Sequence, residues 1–105
     1  MYQIVFCSCP NNEVATQIAT RLVTSKLAAC VNIVPNITSV YLWQDKVETD
    51  SEVLLKIKSK ASLFETIEKE ITSLHPYDVP EIIATDITQG SQAYLNWLNA
   101  SVETK

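Results

Sequence analysis

The stretch "AACVNIVPNITSVYLWQDKVETDSEVLLKIKSK" runs from Ala28 to Lys60 and decides the fold. It is dense in β-branched and aromatic residues, which fit a pleated surface. "AACVNIV" and "ITSVYLW" read as one extended arm checked at Pro35, "QDK" as a turn, and "VETDSEVLLKIKSK" as the returning arm. Each arm runs roughly 13 to 16 residues, some 45–50 Å at about 3.3 Å per residue. A single domain of this length has a radius of gyration near about 13 Å. Even with a bend at Pro35, the tip must overhang the domain, carrying Val40, Tyr41, Leu42, Trp43 and Val47. An uncovered apolar ribbon is an aggregation hazard, and its simplest cover is another copy of the same chain.

Upstream, "YQIVFCSC" (Tyr2 to Cys9) reads as a strand ended by Pro10. Asn11 or Asn12 can cap a helix, with Glu13 placed for the first-turn dipole. Val14, Ile18 and Leu22, flanked by Ala15 and Ala19, recur at helical spacing, and this helix should end near Ser25-Lys26. Downstream, Ser62 to Leu74 is a second helix, opened by a Ser62/Glu65 capping box. Leu63, Ile67, Ile71 and Leu74 share one face with Phe64 beside them, and Pro76 ends the helix. "EIIATDI" (Glu81 to Ile87) reads as a last core strand. Gly90-Ser91 then opens a short C-terminal helix with Tyr94, Trp97 and Leu98 inward. The order predicts one α+β domain over residues 1–105, a ferredoxin-like βαββαβ sandwich with an extended hairpin. Both main helices should lie on one sheet face, joined by right-handed crossovers.

Composition narrows the function. With 47% hydrophobic residues the 105-residue chain can bury a core. The formal net charge is -4, and the one close basic set, Lys56, Lys58 and Lys60, alternates along a strand as a solvated face would. Nucleic-acid binding by phosphate neutralisation is therefore not expected. No apolar run approaches a membrane span. The start "MYQIVFCSCPNN" lacks the charged and apolar regions of a secretory signal, and three cysteines make no disulfide framework. These features predict a cytoplasmic protein with reduced thiols. The single glycine, Gly90, excludes a P-loop and a dinucleotide fingerprint. With one histidine and no G-x-S-x-G elbow, a catalytic constellation has little material, so an enzyme is not expected.

A few residues remain for chemistry. Cys7 and Cys9 lie two apart on a strand and share a face. They read as a soft dithiolate suited to Cu(I), or as two small hydrophobes in a core. Cys30, after Ala28-Ala29, reads as core. His75 precedes Pro76, which biases it away from helical dihedrals. It can bind metal or carry a proton, or simply cap the helix end. Glu81, behind Pro80, is either a ligand or a surface or interface carboxylate. Tyr41, Trp43, Tyr77 and Trp97 could line a cleft between subunits or serve as packing.

"KLAACVNIVPNITSVYLWQDKVETDSEVLLKIKS", "LHPYDVPEIIATDI" and the closing "YLNWL" carry a resemblance over nearly the whole chain. Through LAACVN-x-x-P, S-x-Y-x-W and HPY-x-x-PEI the sequence resembles the CutA family, the divalent-cation tolerance proteins. The resemblance implies a ferredoxin-like subunit, related in shape to PII signalling proteins, in a tight homotrimer whose hairpins extend sheets across subunits. It implies binding of copper or another divalent metal ion, with Cys7 and His75 as ligands and Glu81 of the PEI motif as the nearby acid. Three positions depart from the family pattern. Leu74 stands where some members have a second histidine. Asn36 replaces a common glycine, although asparagine can still turn left-handed. Cys9 replaces a small residue and creates C-x-C. The expectation is a homotrimeric copper-binding protein of metal tolerance. The alternative is a PII-like signalling or scaffold trimer that binds a small molecule or partner protein between subunits. A metal role predicts that Cys7, His75 and Glu81 converge, and a scaffold role that they stay apart.

Overall fold

Among the described residues, four strands and three α-helices follow one another in the expected order. The computed structural model describes residues 1–103. Strand β1 (Tyr2–Cys9) leads into helix α1 (Asn12–Thr24). Strands β2 (Cys30–Trp43) and β3 (Lys46–Lys60) form the long hairpin. Helix α2 (Phe64–Leu74), strand β4 (Ile82–Ile87) and helix α3 (Gln92–Ser101) complete the chain. The sheet is antiparallel in the order β2-β3-β1-β4, the arrangement that a split βαβ repeat produces.

Local chemistry explains most boundaries. The Asn11 side chain accepts the Val14 N–H at 2.9 Å and starts α1. Lys26 closes α1 in the left-handed conformation, φ 61°. There the Leu27 N–H reaches the Leu22 carbonyl at 2.9 Å and the Lys26 N–H the Val23 carbonyl at 3.1 Å. Leu22 and Leu27 are both buried against that turn, so a Schellman cap forms without glycine. Ser91 caps α3 by accepting from the Tyr94 N–H. The Ser62/Glu65 capping box does not form. Residues Ala61–Leu63 make a single 3-10 turn instead, and α2 starts at Phe64 without a side-chain cap. Pro76 acts as expected, leaving His75 extended at φ -80° and ψ 136°.

The core lies between one sheet face and the two long helices. Val5, Cys7 and Cys9 of β1 and Val53, Leu55 and Ile57 of β3 meet Ile18 and Leu22 of α1 and Ile67 and Ile71 of α2. The other face carries Ile4, Phe6 and Ser8, because successive strand residues alternate. That alternation corrects two expectations. Cys30 pairs with Lys58 and is only half-buried, outside the core. The last strand is a sheet edge, not a core strand: Ile82 packs on the core while Ile83 is exposed. In α3 only Leu98 is buried. Tyr94 and Trp97 lean on each other at 5.5 Å between ring centroids and stay largely exposed.

The hairpin changes character midway. Pro35 offers no N–H, and the β2–β3 register shifts between Val34 and Ile37, where Asn36 is left-handed at φ 60°. Beyond this bulge pairing resumes to Trp43–Lys46, around a turn whose two residues, Gln44 and Asp45, are also left-handed. Val40, Leu42, Trp43 and Val47 are 61–73% exposed. The hairpin is part of a molecule 45 Å long and only 26 × 21 Å across.

Candidate metal centre

The end of β1 gathers the chemistry. Cys7 and Cys9 both point to the helix face, where their cross-strand neighbours are Leu55 and Val53, and neither is exposed. The end of α2 brings His75 beside them. Ligand atoms of Cys7, Cys9 and His75 all lie within 4.8 Å of one another. His75 is itself buried, at 7% exposure.

The imidazole is held in one tautomer. Nε2 lies 2.8 Å from the Ser8 carbonyl oxygen, which can only accept, so Nε2 carries the proton. The Tyr77 N–H can only donate, so Nδ1, 3.2 Å away, offers its lone pair. The Tyr77 ring leans on the imidazole at 4.7 Å between centroids. His75 meets Ser8 just past the Cys7–Ile82 pair where the β1–β4 ladder stops, and its ring N–H takes the next strand carbonyl.

Glu81 takes another place. Its carboxylate accepts the Ser8 hydroxyl at 3.3 Å. Ser8 lies between the cysteines in sequence, so alternation turns its side chain to the opposite sheet face. The structure thus brings Cys7 and His75 together with Cys9, and ties Glu81 to Ser8, outside that three-residue cluster. The signal for Cys9 was the i, i+2 spacing. Nothing in the sequence marked Ser8 as the group that engages the acid. A second polar set sits nearby on β3: the Tyr77 hydroxyl donates to Glu52 at 2.9 Å, and the Tyr41 hydroxyl donates to Asp50.

Electrostatics follow from this packing. The Cys7 thiol is held far above the usual thiol range, first by its hydrogen bond to Cys9, then by burial and by the negative field of Cys9, Glu81 and Glu52. The same bond draws Cys9 downward against its own burial. Burial and the bond to Glu52 push the Tyr77 hydroxyl up to about 12. Two sulfurs and an imidazole make a soft donor set, which fits copper or zinc. It does not fit calcium or magnesium, which take oxygen ligands.

The family model described as "CutA1 divalent ion tolerance protein" matches residues 3–101. The chain is 46% identical over 99 residues to "Protein CutA" of Mus musculus, covering 94% of this chain and 56% of that protein. It is 47% identical over 98 residues to "Divalent-cation tolerance protein CutA" of Thermus thermophilus, covering 93% of this chain and 95% of that one. The chain therefore spans about half the length of the mouse relative and nearly all of the bacterial one. The crystal structure of CutA1 from Oryza sativa superposes with a TM-score of 0.97 at 44% identity, covering 99% of this chain and 95% of that one.

Proposed function

We propose, from the premise that this chain belongs to the CutA1 divalent ion tolerance family, that it binds a thiophilic metal ion as a homotrimer. A metal-tolerance role is the family's; copper as the ion, the trimer and a cytoplasmic location are our reading. The observation that carries it is the Cys7, Cys9 and His75 cluster, whose donor atoms already lie within 4.8 Å of one another. Metal–thiolate bonds are about 2.3 Å, so little rearrangement is needed to seat an ion between the sulfurs. When bound, the ion would draw on the two thiolates for charge. The chain's own part is to hold those sulfurs on one strand face and to fix His75 in one tautomer.

The hairpin supports the trimer. Val40, Leu42, Trp43 and Val47 are mostly exposed in the single chain, and the outer edge of β2 has no partner strand among the described residues. Covering them with a second copy removes both the apolar surface and the free edge. Closed rotational symmetry leaves no hairpin uncovered. The three free cysteines favour a reducing compartment, in keeping with the cytoplasm. A native mass spectrum of the protein from copper-replete cells tests both parts at once. We expect three chains with bound copper; a metal-free monomer would dispose of the reading.

A second reading has its own support. The Tyr41–Asp50 and Tyr77–Glu52 pairs form a partly exposed polar patch at the hairpin. A PII-like signalling or scaffold trimer would present that patch to a small molecule or partner protein between subunits. Retention of an organic ligand, rather than metal, in the same spectrum would favour it.

A further inference from the structure

We propose that Cys7 and Cys9 alone ligate the metal, as a two-coordinate dithiolate site for copper(I), and that His75 is a positioning residue that stays off the ion. This deepens the metal reading above and rests on it. The first support is geometric. A metal–thiolate bond is about 2.3 Å, so two sulfurs on one ion stand at most about 4.6 Å apart. The Cys7 and Cys9 sulfurs lie within 4.8 Å, on one face of one strand. Little backbone movement is needed to bring both onto one ion.

The second support is the scarcity of further ligands. His75 has one lone pair, at Nδ1, and the Tyr77 N–H occupies it; its Nε2–H serves the Ser8 carbonyl. Glu81 is engaged by the Ser8 hydroxyl on the opposite sheet face, and Glu52 by the Tyr77 hydroxyl. Cys7 and Cys9 are sealed from solvent, and their ladder partners Leu55, Val53 and Ile82 bring only apolar side chains. Zinc takes four ligands in its structural sites. Copper(I) is the soft ion that thiolates select, and two sulfurs suffice for it. The sulfurs themselves have weak partners: Cys7 Sγ reaches the Ser8 carbonyl only at 3.8 Å.

The third support is charge. Each thiol releases its proton to solvent and its sulfur lone pair forms one bond to copper, with no change of oxidation state. The complex carries one negative charge where a free dithiolate would carry two. The corner Pro76–Glu81 has no helix or strand of its own, and its Tyr77 ring leans on His75 beside the cluster.

The test uses the whole protein, reduced, titrated under argon with copper(I) acetonitrile complex against a chromophoric copper(I) chelator. X-ray absorption then reads the ligands. We expect one copper(I) per chain with two sulfur neighbours and no nitrogen. Cys9→Ala should weaken binding by more than about 100-fold, the upper end for loss of an outer partner alone. His75→Asn should weaken it by about 10-fold or less, with the sulfur-only spectrum kept. Glu81→Gln should bind as wild type. Nitrogen or oxygen at the metal, undiminished binding by Cys9→Ala, or zinc competing equally would overturn the proposal while leaving metal binding intact. Failure of the wild type to bind any copper would overturn both. The wild-type spectrum decides the ligands even if a variant does not fold.

Discussion

The two halves of the hairpin share their strands and pairing but not their surroundings. Near the base, Val53, Leu55 and Ile57 are at most 5% exposed. Near the tip, Val40, Leu42, Trp43 and Val47 are 61–73% exposed. Both halves carry apolar residues, so the presence of a hydrophobic run does not by itself say which surface a strand covers. The base is fixed by helices of its own chain, while the tip has only the sheet ladder. The lesson is that one continuous element can serve two levels of structure, the subunit core and, in the proposed trimer, the contact between subunits.

The sharpest way to break that contrast is to cut both halves. Leu55→Ala empties a sealed site between β3 and β1 and should cost about 2–5 kcal/mol, whatever the assembly state. Denaturant unfolding at several protein concentrations would show the same loss at each. Trp43→Ala should leave the subunit core intact and weaken association by about 2–4 kcal/mol, as loss of an interface anchor does. Light scattering on dilution checks this, and an unchanged dissociation midpoint would make Trp43 a free surface residue.

The third prediction lies where the halves meet. Tyr77 reaches from the corner after α2 to Glu52 on β3, and its hydroxyl is raised from 10.0 to about 12. The folded state holds this proton more tightly than the unfolded chain. Its contribution is therefore complete below pH 10 and is lost as pH rises towards 12. Tyr77→Phe should flatten the alkaline arm of the stability curve over that window, read by thermal melts at stepped pH. The smallest effects come from the left-handed residues. Lys26→Gly at the base and Asp45→Gly at the tip each relieve a positive φ and should each gain up to about 1 kcal/mol. Lys26→Gly should raise subunit stability, whereas Asp45→Gly should act mainly on the tip.

Much of this fold was legible because its signals are local. The Asn11 cap, the stop at Pro76 and the hairpin all follow from chemistry within a few residues. Ser62 and Glu65 had the spacing of a capping box, but the 3-10 turn at Ala61–Leu63 moved the helix start past Ser62 to Phe64. Trp97 and Tyr94 read as inward because large rings favour burial, yet only Leu98 is buried in their short helix. At the candidate site, spacing placed Cys7 and Cys9 on one face. The pairing of Glu81 with Ser8 depends on which strand end the corner reaches, a long-range fact no local pattern carries.

The unsupported tip has a genetic consequence. In the proposed trimer, a lesion at Leu42 or Trp43 leaves its own subunit folded and damages the neighbour on which that tip rests. Such a subunit still enters assemblies, so one faulty copy spoils rings built mostly from sound chains. A lesion at Leu55 removes its own chain from the pool before assembly. Tip alleles should thus be dominant and base alleles recessive, and the bulge at Asn36 marks where one pattern of inheritance gives way to the other.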